Sequence, residues 1–351
     1  MDLNDAPTLE LSRSRFLRNL AAVHEKIAPS SLLIAMKDDA YGHGIEWTMD
    51  AALAAPGEPV AVYGGYDVPT SLRIRAAGPD VSVFAWATST RDEVEQALSA
   101  GVELGVGTTR YLDSVIEVAS ELGVSARVHL KADTGLHRNG VRPEEWQAFV
   151  DRAIAAERAG HVQIVGVWSH LAEASDAEDD DAAAEFSRAV EVVRAAGGTP
   201  KALHLTASAA SWWRPELRGT VSRIGAFCYG IRSADGPDVP GVTPVAALRA
   251  TVRAVHDDTV EVGIGFLHGL PSTLDGAQIG TPGGARNLRS VGAVTSLVEA
   301  WPDAAAGDTV RVFGPGAHGE SDATALAERI GTVGEEILTR LTDQVRRVSV
   351  D

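Results

Sequence analysis

Between residues 31 and 231, eight short apolar runs alternate with longer segments whose apolar residues recur at helical spacing. The runs are "LLIAMK", "AVYGG", "VSVFAW", "ELGVG", "ARVHLKAD", "IVGVWSH", "ALHLTAS" and "SRIGAFCYG". Segments such as "DVPTSLRIRAAG" and "PEEWQAFVDRAIAAERAG" separate them. Strand–helix alternation implies parallel strands joined by crossover helices. Eight such units in about two hundred residues predict a closed (β/α)8 TIM-like barrel. A doubly wound open sheet is the alternative, made weaker by the lack of a G-x-G-x-x-G after an early strand.

Beyond residue 236 the pattern changes. "DGPDVPGVTP" reads as a linker, and "ALRATVRAVHDDTVEVGIGF", "RSVGAVTSLVEAW" and "DTVRVFG" are strand-like runs without helices between them. They predict a smaller, mainly antiparallel β domain. A helical stretch, "DATALAERI" through "EEILTRLTDQ", is expected to close the chain. The expected division is a barrel over residues 12–235 and a C-terminal β domain over 236–351, with residues 1–11 contributing a strand.

A formal charge of −17, offset by no basic stripe, argues against nucleic acid or an anionic membrane as partner. The acidic stretch "EASDAEDDDAAAEF" reads as a solvated loop and helix start. One cysteine, Cys228, sits among apolar residues, which rules out an internal disulfide framework and fits a packed thiol. "MDLNDAPTLE" lacks the basic start and apolar core of a signal peptide, and no apolar run is long enough for a membrane helix. A cytoplasmic location is expected. No His/Cys/Asp spacing resembles a metal site, so no metal is expected.

In such a barrel the active site lies at the C-terminal mouth of the strands. Reactive residues recur there. Lys37 ends the first run, Arg138 follows the fifth in "TGLHRNG", His170 ends "GVWSH", Ser208 ends "HLTAS" and Arg223 lies in "SRIG". Alternation along "RVHLKAD" puts Arg127, His129, Lys131 and Asp133 on one face. A desolvated lysine at the mouth becomes nucleophilic and can form a Schiff base with an aldehyde. The plainer alternative is a structural lysine paired with Asp38 or Asp39. Ser208, with the backbone around residues 224–226, could supply donors to a phosphate. A Schiff-base lysine and a phosphate cup are the pair that pyridoxal phosphate requires.

These residues also carry a resemblance. "MKDDAYGHG", "HLKADTGLHRNGV", "WSHLAEASD", "LHLTASAA" and "SRIGAFCYGI", in that order, are similar to the successive signatures of the alanine racemase family of fold-type III pyridoxal phosphate enzymes. The resemblance implies that Lys37 holds the cofactor and shuttles a proton at Cα. It implies that Tyr41, Ser208 and the backbone of Gly225 and Ala226 contact the phosphate. By the same resemblance His170 lies beside the pyridine ring, Arg138 near the phenolic oxygen, and Arg223 at the pyridine nitrogen. Lys131 matches a position that is carbamylated in some members. An arginine does not give up its proton, so the ring nitrogen would stay unprotonated and the site would favour proton removal and return. A homodimer with shared sites is implied as well.

The C-terminal region departs from the family's pattern. Its catalytic tyrosine, in I-G-Y-[AS]-D-G, corresponds to Phe266 of "IGFLHGLPS", and no tyrosine follows Tyr229. His268 is the candidate replacement, because histidine titrates near neutral pH; the alternative, slightly favoured, is a solvated or capping residue. Ser296 and Leu297 stand where a Met–Asp turn is usual, and Asp343 where a cofactor-contacting tyrosine is usual. Three readings are open: an atypical amino-acid racemase or epimerase using Lys37 and His268 or a water; a decarboxylase, aldolase or lyase; and a non-catalytic cofactor-binding homologue.

Overall fold

The computed structural model describes residues 6–351. Its strands are numbered along the chain from β1 (Thr8–Ser12). Eight parallel strands make one sheet: β2 (Ser31–Ala35), β3 (Val62–Tyr66), β4 (Val83–Ala85), β5 (Glu103–Val106), β6 (Ala126–Lys131), β7 (Val162–Trp168), β8 (Ala202–His204) and β9 (Val221–Ile224). From β2 to β8 each pairs with the next, and β9 returns to lie beside β2 with Ser31 opposite Val221. Between β8 and β9 the ring closes. There the Leu203 N–H donates to the Thr220 hydroxyl (2.8 Å) and the Arg223 N–H to the Thr206 carbonyl (3.2 Å). The barrel expected from the alternation is present.

Local chemistry sets the helices between these strands. Thr90 and Glu93 form a reciprocal capping box ahead of Arg91–Ser99. Thr108 caps Thr109–Leu122, which stops at Gly123 in the left-handed region. Pro143 opens Pro143–Arg158, with Glu144 and Glu145 next in the first turn, where acids suit the helix dipole. Barrel strands are covered on both faces, which is why they read as unbroken apolar runs. Leu33, Phe84, Trp168 and Val221 meet in the interior.

The chain divides into two units, this one (Val23–Lys37 with Ala52–Gly225) and one made by the other described residues. The second carries an eight-stranded sheet of β1, β10 (Ala246–Val255), β11 (Thr259–Val262), β12 (Gln278–Thr281), β13 (Gly284–Val291), β14 (Ser296–Glu299), β15 (Thr309–Phe313) and β16 (Arg346–Val350). Its order is β11-β14-β13-β12-β15-β10-β1-β16, antiparallel except for the parallel pair β1 and β16. Glu10 of β1 clamps the neighbouring strands, meeting Arg249 Nε at 2.8 Å and Arg311 Nη1 at 2.9 Å.

One expectation needs correction. The chain does not close on helix: Ala323–Arg329 and Gly334–Thr339 are helical, but β16 comes after them. This is an edge strand whose "RRVSV" side chains stay partly or fully exposed, so it lacks the apolar run that marks a buried strand. Among the described residues no helix is long and apolar enough to cross a membrane.

Candidate active site

β2 ends at Ala35, two residues before the lysine that was expected to finish it, although the Met36 N–H still donates to the Gly64 carbonyl (2.8 Å). Lys37 therefore lies beyond the C-terminal end of the strand, one residue after Met36, and opens the turn Lys37–Tyr41. The backbone beyond it is unusual. Asp38, Asp39, Ala40 and Tyr41 have φ of 53°, 53°, 56° and 54°, a full turn of left-handed backbone without a glycine. Each such L-residue costs about 1–2 kcal/mol, so the turn must be held from outside itself.

The rest of "DAYGHG" does the holding. Gly42 N–H donates to Asp38 O (3.0 Å) and Gly44 N–H to Asp39 O (2.8 Å). The Nδ1 of buried His43 lies 3.1 Å from Ala40 O and 3.0 Å from Tyr41 O. Carbonyls only accept, so the His43 proton sits on Nδ1. Burial pulls this imidazole down to about 4, which keeps it neutral. Gly42 has φ +78°, and a Cβ there would meet the Leu338 carbonyl oxygen at 2.9 Å. Tyr41 is buried with its ring 5.2 Å from that of Tyr229, and burial raises its hydroxyl above the ordinary phenol range, so it remains an O–H donor.

Within the barrel unit, polar groups from separate strand ends converge. Arg223, near the end of β9, is buried and uses all four of its terminal hydrogens. Nη1 donates to His204 O (2.8 Å) and His204 Nδ1 (3.3 Å), and Nη2 to Leu205 O (2.9 Å) and His170 Nδ1 (2.9 Å). The Nε–H is the one guanidinium donor outside this set. Because arginine only donates, His170 Nδ1 must be a lone pair and its proton lies on Nε2. Burial, then the positive charges of Arg223, Arg138, Lys131 and Lys37, drive His170 down to about 3. Four cations from three segments thus bear on one neutral imidazole, in a chain whose net charge is −17. A mouth of that sign fits a ligand carrying several negative charges. Burial also pulls Arg223 down, to about 9, which leaves it charged at neutral pH.

Lys131, at the end of β6, is pulled down to about 8 by burial and by Arg138 and Arg223. Asp133, on the same strand face, serves the next loop. Its Oδ1 accepts the N–H groups of Gly135 (3.2 Å) and His137 (3.0 Å), and its Oδ2 takes His137 Nδ1 (2.9 Å). That bracing shapes the segment presenting exposed Arg138. The Ser208 hydroxyl accepts the Gly225 N–H at 3.2 Å, so these two expected phosphate contacts are neighbours and the hydroxyl keeps its own hydrogen to donate.

Tyr41, Ala226 and His268 belong to the second unit. There the turn Phe266–His268 departs from what a second acid–base requires. Phe266 and Leu267 are each 48% exposed, whereas His268 is 2% exposed. Its Nδ1 accepts the Gly265 N–H (3.0 Å), and its carbonyl takes the Thr342 N–H (3.1 Å). Burial and Arg253 lower it, so it stays neutral at pH 7. The geometry is that of the capping residue, the other reading open from sequence. Ser296 is likewise buried and structural, its hydroxyl donating to Ile264 O (2.6 Å). Asp343 lies exposed in the loop before β16.

Glu103, His204 and Trp168, all buried in the barrel interior, belong to none of the expected site residues. The one available signal was polarity inside apolar strand runs: an acid in "ELGVG" and a histidine in "ALHLTAS".

A parallel barrel with a lysine after its first strand and clustered cations at its mouth suits an enzyme acting on an anionic carbonyl ligand. Comparison gives the family. Residues 11–233 match the model "Alanine racemase, N-terminal domain" and residues 248–349 the model "Alanine racemase, C-terminal domain". The chain is 33% identical over 355 residues to an alanine racemase of Thermobifida fusca, with 94% of each chain covered. With that of Beutenbergia cavernae it shares 34% over 363 residues, covering 95% of this chain and 94% of the other. The alanine racemase structure from Streptomyces coelicolor superposes with a TM-score of 0.93 at 27% identity, covering 99% of this chain and 98% of that one. This chain belongs to the alanine racemase family.

Proposed function

We propose that the chain is a pyridoxal phosphate-dependent enzyme acting at the α-carbon of an amino acid, an atypical amino-acid racemase or epimerase. Lys37 would hold the cofactor covalently through its ε-amine. Ser208, Tyr41 and the backbone of Gly225 and Ala226 would take its phosphate, and Arg138, His170 and Arg223 would line it. When bound, pyridoxal phosphate supplies the electron withdrawal that lets an α-hydrogen leave as a proton. Lys37 would carry that proton to and from one face of the α-carbon. Lys131 and Arg138 add positive charge that favours the substrate carboxylate.

The observation that carries this reading is the state of Arg223. Its terminal hydrogens are all engaged, it is buried, and it keeps its proton at neutral pH. A carboxylic acid in its place could hand a proton on; Arg223 cannot. Electron withdrawal then stays modest, which suits removal and return of an α-proton better than longer rearrangements. The relatives named alanine racemase support the same reading.

Phe266 and His268 favour a second reading. The exposed residues of that turn, Phe266 and Leu267, have no proton to transfer, and the histidine is buried in a cap. A decarboxylation or cleavage would need no protein acid–base on the second face; in the racemase reading a water supplies that proton. The family resemblance supports a homodimer, which sedimentation would check.

The test begins with borohydride reduction of the protein incubated with pyridoxal phosphate, then peptide mapping. The chain has only four lysines, Lys26, Lys37, Lys131 and Lys201, and the label is expected on Lys37. Label elsewhere, or none, would overturn the cofactor assignment. Chiral chromatography of amino acids after incubation then separates the readings. Formation of the opposite enantiomer supports a racemase, and loss of the carboxylate supports the second reading. A loaded protein that changes no amino acid would be a non-catalytic homologue.

A further inference from the structure

Five side chains of the barrel unit form one continuous hydrogen-bond chain through its interior. Arg223 Nη1 lies 3.3 Å from His204 Nδ1, His204 Nε2 lies 3.0 Å from His129 Nδ1, and His129 Nε2 lies 2.7 Å from Glu103 Oε2. Glu103 Oε1 accepts Arg127 Nε (2.8 Å) and Nη2 (2.6 Å). Glu103, His129, His204 and Arg223 are buried, among apolar neighbours. The Phe84 ring centroid is 4.5 Å from that of His129, and Trp168 stacks on His204 at 5.8 Å. Burying so many polar groups among aromatic rings is costly unless every donor meets an acceptor.

The two ends force the direction of every bond between them. Arg223 can only donate, so His204 Nδ1 is a lone pair and its proton lies on Nε2. That N–H points at His129 Nδ1, which must accept. The His129 proton therefore lies on Nε2, where the Glu103 carboxylate takes it. Burial, with His129 and Arg223 nearby, holds His204 well below the ordinary imidazole range, so it is neutral.

We infer that Glu103, acting through His129 and His204, is a positioning residue for Arg223: the carboxylate sets both imidazole tautomers so that the guanidinium meets a lone pair and not an N–H. What Arg223 then does for a cofactor rests on the function proposed above; the proton arrangement does not. Without the Glu103 acceptor, the His129 proton moves to Nδ1 and turns His204 Nε2 into an acceptor. The His204 proton then lies on Nδ1, facing the Arg223 N–H. Two donors oppose each other, and Arg223 must shift.

The test is nitrogen-15 NMR of the histidine side chains in the full-length protein, a readout that needs no turnover. The wild type should show His129 and His204 both protonated at Nε2. Glu103→Gln made together with Arg127→Met, where the amide NH2 meets no opposing arginine, keeps an acceptor oxygen for His129 and should preserve that pattern. Glu103→Met should reverse or mix both tautomers and weaken pyridoxal phosphate binding about tenfold, the scale of one buried hydrogen bond left unmade. Arg127→Met removes only the exposed partner of Glu103 and should leave both tautomers unchanged. A wild-type His204 protonated at Nδ1 overturns the inference even if Glu103→Met does not fold. So does a folded Glu103→Met protein with wild-type tautomers and affinity. If the wild type binds no cofactor, the proposed function fails, while the tautomers still decide the role of Glu103.

Discussion

Lys131 Nζ lies 4.3 Å from the ring centroid of Trp168, a cation held over an indole at the end of two neighbouring barrel strands. Burial and two arginines oppose the charge and lower it from 10.5 to about 8. Below pH 8 both folded and unfolded chains carry the proton, and the folded one bears the penalty. Between 8 and 10.5 only the unfolded chain keeps it, so stability climbs with pH across that window. Lys131→Met should therefore be more stable than the parent at neutral pH by roughly 1–3 kcal/mol, an advantage that shrinks above pH 8. Urea midpoints at several pH values would check it.

His170 gives the opposite limb. Its pKa falls from 6.5 to about 3, so above 6.5 neither state binds the proton. As pH drops from 6.5 toward 3, the unfolded chain takes a proton that the folded chain refuses. Stability is lost by up to about 1.4 kcal/mol per pH unit from this group. His170→Gln should flatten that part of the acid limb relative to the parent, measured as the change in urea midpoint between neutral and acidic buffer.

Arg223→Lys keeps the charge but not the fork. Lysine has three donors on one atom and cannot reach His170, Leu205 and both acceptors of His204 together. Leaving one buried acceptor unmet costs about 1–3 kcal/mol of stability. Displacement at the reacting centre should cut turnover by about a hundredfold. Retention of full turnover would show that the engaged guanidinium is not what the reaction uses.

The left-handed turn after Lys37 depends on Gly42. Gly42→Ala would place a methyl 2.9 Å from the Leu338 carbonyl oxygen at a φ of +78°. A loss of about 1–3 kcal/mol is expected, read as a lower melting temperature.

The barrel was legible because strands covered on both faces show as apolar runs between helical segments, as "LLIAMK" and "VSVFAW" do. β16 was not, because an edge strand needs no such run and "RRVSV" has none. At the site, Lys37, Arg138, His170 and Arg223 could be named because strand-end position and motif order mark them, and the charges of Lys37, Arg138 and Arg223 bear on the His170 imidazole. The left-handed turn could not be read from Asp-Asp-Ala-Tyr, because L side chains disfavour that backbone and the hydrogen bonds of Gly42, His43 and Gly44 that hold it show only in the fold. His268 looked like a base because an imidazole has suitable chemistry. Only the fold reveals that Gly265 already occupies its Nδ1. Glu103 and His204 stayed hidden because their meaning lies in partners from other strands.

The reaction proposed for this site takes place at an amino-acid α-carbon. Its most direct test is to incubate the pyridoxal phosphate-loaded protein with L- and D-amino acids in D₂O and follow the α-hydrogen signals by NMR. One amino acid is expected to lose its α-hydrogen signal and gain the opposite enantiomer, and Lys37→Ala is expected to abolish both. A loaded protein that leaves every α-hydrogen in place would contradict it.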